Sequence, residues 1–133
     1  MTTHATAEFE VKSWDENQAL ESKTGSKVTQ ASVTMALAGD LEGEGTVEWL
    51  MGYGDDGTAA FVGLERVVGK VGDREGTFVL QHTGTFDGKL AKADLSIVPG
   101  SGTGDLAGIS GEGKLEAGFG DEGVRSLELD YDV

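Results

Sequence analysis

The 133-residue chain has no cysteine, one proline, two histidines, and only 10 Lys and Arg against 24 Asp and Glu. Without cysteine there is neither a disulfide frame nor a thiolate site for metal or nucleophilic chemistry. The shortage of bases leaves a net charge of −14. Acids outnumber bases in every part of the chain, 9 to 3 in residues 1–50, 7 to 5 in 51–100 and 8 to 2 thereafter. Such an evenly anionic surface opposes nucleic acid and anionic membranes as partners. Apolar runs such as Thr58–Leu64 fall far short of the ~20 residues of a membrane helix, and Met1–Ala7 lacks the basic and apolar regions of a signal peptide. A cytoplasmic address is therefore expected. His4 and His82 stand alone, with no H-E-x-x-H pattern, and Asp55-Asp56-Gly57 lacks the alternating ligands of a calcium loop. No metal and no cofactor are expected.

What the chain does have is glycine, 22 residues, more than twice the usual ~7 % share. The glycines lie between segments that alternate apolar and polar residues with period two, which is the mark of β-strands. Strands are read near 5–14, 27–38, 45–53, 58–71, 74–86, 89–98, 108–117 and 124–132. Turns are read at 40–43, 54–57, 72–73 and 87–88, and a helical turn is allowed only at 15–23 and 104–108. The fold class is all-β: a single domain, residues 1–133, in which an eight-stranded antiparallel meander closes into a small barrel. Closure removes the sheet edges and leaves an interior that side chains fill or that holds one small ligand. An open β-sandwich is the alternative.

Gly102-Thr103-Gly104-Asp105-Leu106-Ala107 fits the dinucleotide fingerprint G-x-G-x-x-G/A. That fingerprint needs a long helix after it, and Gly108, Gly111, Gly113, Gly118 and Gly120 each cost a helix about 1 kcal/mol relative to alanine. Gly108-Ile109-Ser110-Gly111 likewise misses the nucleophile elbow G-x-S-x-G. Instead, Val98-Pro99-Gly100-Ser101-Gly102-Thr103-Gly104-Asp105-Leu106-Ala107-Gly108-Ile109-Ser110-Gly111-Glu112-Gly113 resembles the signature of a family of small bacterial domains of unknown function. Glu48-Trp49-Leu50-Met51, Gly63-Leu64-Glu65-Arg66 and Gly76-Thr77-Phe78-Val79-Leu80-Gln81-His82-Thr83-Gly84 resemble the family's other motifs. The resemblance implies a barrel similar to those of allene oxide cyclases and dirigent proteins, which act on or guide small hydrophobic molecules and often form trimers. It supplies no catalytic residues. In structural terms the signature predicts a barrel corner: Pro99 ends strand pairing, while Gly100, Gly102 and Gly104 permit positive φ or close backbone approach. Asp105 is expected to cap a short turn through Leu106 and Ala107 that plugs one barrel end.

In a hairpin the sum of paired residue numbers is constant, so turn lengths assign faces. A two-residue turn at 72–73 pairs Gly63 with His82 and Glu65 with Leu80. A tight turn at 87–88 sets Leu80 beside Leu95, and a four-residue turn at 54–57 sets Glu48 beside Gly63. The inner face then gathers Met35, Leu37, Leu50, Phe61, Val67, Phe78, Leu80, Phe86, Ala91, Ala93, Leu95 and Ile97, with Glu48, Glu65 and His82 as polar intruders around Gly63. Buried carboxylates are costly unless paired, so these three are expected to form one cluster. The expected ligand site is Met35, Glu48, Leu50, Phe61, Gly63, Glu65, Phe78, Leu80 and His82. It suits a small hydrophobic or amphipathic molecule bound in or at the mouth of the barrel. An isomerase or cyclase using Glu48, Glu65 and His82 for proton transfer is the alternative, and a packed interaction module without ligand is a third. The outer face, with Trp49, Met51, Val62 and Leu64, is expected to form a homo-oligomer interface.

Overall fold

A computed structural model describes residues 2–20, 27–54, 56–118 and 125–133. Eight long strands form the wall: β1 (Thr3–Leu20), β2 (Val28–Gly39), β3 (Leu41–Tyr53), β4 (Ala59–Val71), β5 (Arg74–Phe86), β6 (Leu90–Ile97), β8 (Ser110–Gly118) and β9 (Arg125–Asp132), with a two-residue β7 (Thr103–Gly104) between β6 and β8. Neighbouring strands are antiparallel in the order β4-β3-β2-β1-β9-β8-β6-β5, and a β4–β5 ladder joins the ends into a closed barrel. Closure rules out the open sandwich.

Alternation explains the core. In β4, Ala59, Phe61, Glu65, Val67 and Val71 point inward and are buried; in β5, Phe78, Leu80 and His82 do the same. Three expectations from the sequence need correction. First, β1 runs on through Leu20, so residues 15–20 are strand and not a helical turn; the rest of the proposed turn lies outside the described residues. A bulge between Val11 and Ser13 shifts the pairing by one. This moves the inward parity from Phe9 to Trp14 and Glu16, opposite Val33 and Ala31, and disguises the alternation. Second, β3 starts at Leu41 rather than near 45, because the chain reverses at Asp40 with Gly39 at φ 124°. Third, the β5–β6 connection pairs Phe86 with Ala91 and Leu80 with Ile97, a shift of two that leaves every face as expected.

The connections at Asp40, Gly72-Asp73 and 98–109 share one barrel end, and the last of these closes it. Thr103 and Gly104 pair with Thr77 and Gly76 at the start of β5. The chain then turns through Leu106 N–H to Thr103 O (3.0 Å) and Ile109 N–H to Leu106 O (3.0 Å), which drives Leu106 into the core, fully buried. Gly102 is required here, since a Cβ would collide with the Leu106 carbonyl, and Gly104 sits at φ 62°. Asp105 does not cap this turn. Its N–H donates to Glu75 O at 2.9 Å and its carboxylate accepts at long range from Glu75 N–H, so it staples the plug to β5.

Candidate binding site at the barrel mouth

The opposite end, where β3, β5, β8 and β1 finish, holds an apolar cavity of about 130 Å³. Trp14, Trp49, Met51, Tyr53, Phe61, Phe86, Ala91, Leu115 and Ala117 line it. Five of the chain's nine aromatic residues thus converge on one mouth. Trp49 is the centrepiece, with ring centroids 5.6 Å from Trp14, 5.4 Å from Phe61 and 5.8 Å from His82.

Glycines make this crowding possible. Trp49 lies directly across from Gly63 and Phe61 across from Gly84. A Cβ at Gly63 would stand 2.5 Å from Trp49 Cδ1, and one at Gly84 would stand 2.6 Å from Phe61 Cζ. Each large ring occupies the space that its cross-strand neighbour leaves empty.

Beneath Trp49 lies the polar pair of the core. His82 and Glu65 are both fully buried, with His82 Nε2 2.8 Å from Glu65 Oε1. Trp49 Nε1 lies 3.4 Å from His82 Nδ1. An indole N–H only donates, so Nδ1 accepts and the ring proton sits on Nε2, where it donates to Glu65. Glu65 Oε2 has no hydrogen-bond partner among the described residues; a Cβ at Gly45 would collide with it. The order is therefore carboxylate, imidazole, indole, cavity. Trp49 separates the pair from the mouth, and neither His82 nor Glu65 lines the cavity.

Glu48 does not join this cluster. Tyr53 pairs with Ala59, so the β3–β4 loop has five residues rather than four, and Glu48 faces Leu64 while Trp49 faces Gly63. That one-residue difference turns all of β3 over. Glu48 lies outside, accepting from Gln30 Nε2 (3.0 Å) and Ser32 Oγ (2.8 Å), and Leu50 is 50 % exposed. Trp49 and Met51, expected on the outer interface, are buried at 8 % and 7 % exposure. Of the other expected ligand residues, Phe61 lines the cavity. Met35, Phe78 and Leu80 are fully buried in the core below, and Gly63 lies across from Trp49.

The rim carries an array that the sequence did not reveal. Glu16 accepts from Trp14 Nε1–H (3.1 Å), Thr29 Oγ–H (2.7 Å) and the Tyr53 hydroxyl, and Lys27 Nζ lies 4.4 Å above the Tyr53 ring. Partial burial raises the Glu16 pKa, but the hydrogen bonds from Tyr53, Thr29 and Trp14 outweigh it and hold the carboxyl below its ordinary value. Burial, then the bond to Glu16, raises the Tyr53 phenol above its own. A carboxyl lowered on folding stabilises the fold above its unfolded pKa, and that stabilisation is lost as pH falls through the folded value. Glu16 is accordingly expected to titrate below its ordinary 4.5 in side-chain NMR, with Tyr53→Phe moving the midpoint upward; a midpoint indifferent to Tyr53→Phe contradicts the array.

The profile of a family described as a protein of unknown function, DUF3224, matches residues 5–131. The chain belongs to the DUF3224 family. A DUF3224 protein of unknown function from Shewanella oneidensis MR-1, known from a crystal structure, is similar to it at a TM-score of 0.82 and 29 % identity, over 99 % of this chain and 98 % of that one. No curated protein matches this DUF3224 chain. Among its described residues no helix is long and apolar enough to cross a membrane, and no group of three His, Cys, Asp or Glu side chains is placed to hold a metal ion.

Proposed function

We propose that this DUF3224 barrel is a binding protein whose small ligand enters the mouth and seats a ring-sized apolar group against Trp49 and Phe61. The aromatic cavity carries the reading. An apolar cavity of about 150 Å³ in a folded protein stays dry and takes up benzene or xenon, and this one, at about 130 Å³, is of that size. Pockets that bind small molecules combine such a lining with a few polar groups that fix orientation, a part that Glu16, Thr29 and Tyr53 play at the rim. His82 acts through Trp49, holding the indole that forms the floor. The resemblance to allene oxide cyclase and dirigent barrels, which handle small hydrophobic molecules, supports the same reading, as the acidic, cysteine-free composition supports a cytoplasmic setting. Proton-transfer catalysis finds less support, because Trp49 stands between the His82–Glu65 pair and the cavity.

Both tryptophans of the chain line the cavity, so their two indole N–H resonances report occupancy. Titration with benzyl alcohol is expected to shift both, and Ala91→Leu, which fills the cavity, to abolish the shift. Unmoved indole signals at millimolar benzyl alcohol would refute the proposal.

For a partner, the outer face of β2–β5 supports a second copy of this chain. Leu50, Val62, Leu64 and Val68 are each about half exposed there, at 50–53 %. Gln30, Leu50, Val62, Leu64 and Gln81 line a shallow groove on that face. Glu48 also lines this groove, its carboxylate held by Gln30 and Ser32, so two copies would meet through apolar side chains around one tethered acid. Sedimentation is expected to show a dimer or larger species that Leu64→Glu converts to monomer; a wild-type monomer at high micromolar concentration contradicts it.

A further inference from the structure

The chemistry of the rim narrows the ligand class. Five aromatic rings, Trp14, Trp49, Tyr53, Phe61 and Phe86, surround the cavity. Two of them, Trp14 and Tyr53, donate from their polar edges to the carboxylate of Glu16. A ring that donates a hydrogen bond to an anion gains electron density, and its face becomes a better seat for a cation. The chain's own ammonium, Lys27 Nζ, already occupies one such face, 4.4 Å from the Tyr53 centroid. An aromatic box at the surface of a chain with net charge −14 disfavours anionic ligands and suits a positive charge too diffuse to need water. Quaternary ammonium groups have that property, and aromatic cages are their usual receptors.

We infer that the mouth recognises a small quaternary ammonium compound of the choline type, its trimethylammonium head in the aromatic cavity and its polar tail toward the rim. This inference rests on the binding reading above. The head is a near-spherical group of about benzene's volume and fits within the cavity of about 130 Å³. Its positive charge faces ring surfaces, while Glu16, fixed by three donors, supplies the counter-charge without entering the apolar lining. Lys27 is the competing cation, so the ligand displaces it from Tyr53.

The test compares choline with its neutral carbon isostere, 3,3-dimethyl-1-butanol, by titration of the two indole N–H resonances. Choline is expected to bind about tenfold more tightly than the alcohol, the difference that a desolvated cation–π contact produces. Lys27→Met is expected to tighten choline several-fold and to leave the alcohol unchanged. Equal affinities for the two compounds would overturn the ammonium inference and leave the binding reading standing. Silence of both would overturn it as well, and benzyl alcohol then separates the two claims: if it binds, only the ammonium inference fails, and if it does not, both fail.

Discussion

His82→Leu is expected to lower the unfolding free energy by about 3 kcal/mol, because it leaves two buried groups without their partner, the Glu65 carboxyl and the Trp49 indole N–H, at about 1–3 kcal/mol each. Both side chains are fully buried, and Glu65 Oε2 already lacks a partner, so the bond from His82 is the one hydrogen bond described for that carboxyl. Glu65→Leu is expected to destabilise less, since it leaves only the Nε2–H of a neutral ring unsatisfied, a penalty of about 1–3 kcal/mol. The double variant Glu65→Leu/His82→Leu removes both polar groups together, and replacing both partners of a buried hydrogen bond by apolar groups can be nearly neutral. Urea unfolding of all four proteins is therefore expected to place the double variant above His82→Leu in stability. Losses that add to within about 0.5 kcal/mol would show two independent sites and break the link from Glu65 to Trp49 on which the floor of the mouth depends.

Leu106→Ala is expected to be comparably severe, at about 2–5 kcal/mol. Leu106 is fully buried, yet it belongs to a connection rather than to a wall strand. The connection is pinned to β5 and within its own turn, so it collapses poorly around a cavity. Three hydrogen bonds fix the backbone on either side, Asp105 N–H to Glu75 O, Leu106 N–H to Thr103 O and Ile109 N–H to Leu106 O. The truncated side chain thus leaves a void at the closed end, with Ile109 as a neighbour in the same core. A loss below 1 kcal/mol in urea unfolding would mean that the plug is ornamental. The mouth lies at the other end, so Leu106→Ala at a concentration where it remains folded is expected to bind benzyl alcohol as the wild type does.

Much of the wall was legible from the residues. The β4–β5 register follows from the two-residue turn at Gly72-Asp73, and Gly63↔His82 and Glu65↔Leu80 pair as the turn requires. The inner faces of β2, β4, β5, β6 and β9 follow from alternation, and the plug follows from a glycine-rich stretch with one buried leucine. In strand β3 the four-residue loop suggested by Gly54-Asp55-Asp56-Gly57 conflicts with the strand's own pattern, and the pattern prevails. Val47, Trp49, Met51 and Tyr53 alternate with Glu48, Leu50 and Gly52, and the apolar series is the inward one. A strand's hydrophobic parity integrates many burial energies, whereas one extra loop residue costs almost nothing, so parity is the stronger guide. Trp14 and Glu16 are hidden in the sequence for a different reason. The bulge after Val11 exchanges inward for outward, and nothing local announces it except apolar residues at 9 and 11 followed by one at 14. The bulge in β1 and the parity of β3 together bring Trp49 and the Glu16 rim to the mouth and leave Glu48 outside, away from Glu65 and His82.

Xenon located crystallographically under pressure tests the location of the site most directly, since it enters dry apolar cavities without regard to the natural ligand. The expected result is one strong xenon peak at the barrel mouth among Trp49, Phe61 and Leu115, absent in Ala91→Leu. An empty mouth, or xenon only elsewhere in the barrel, would contradict the account.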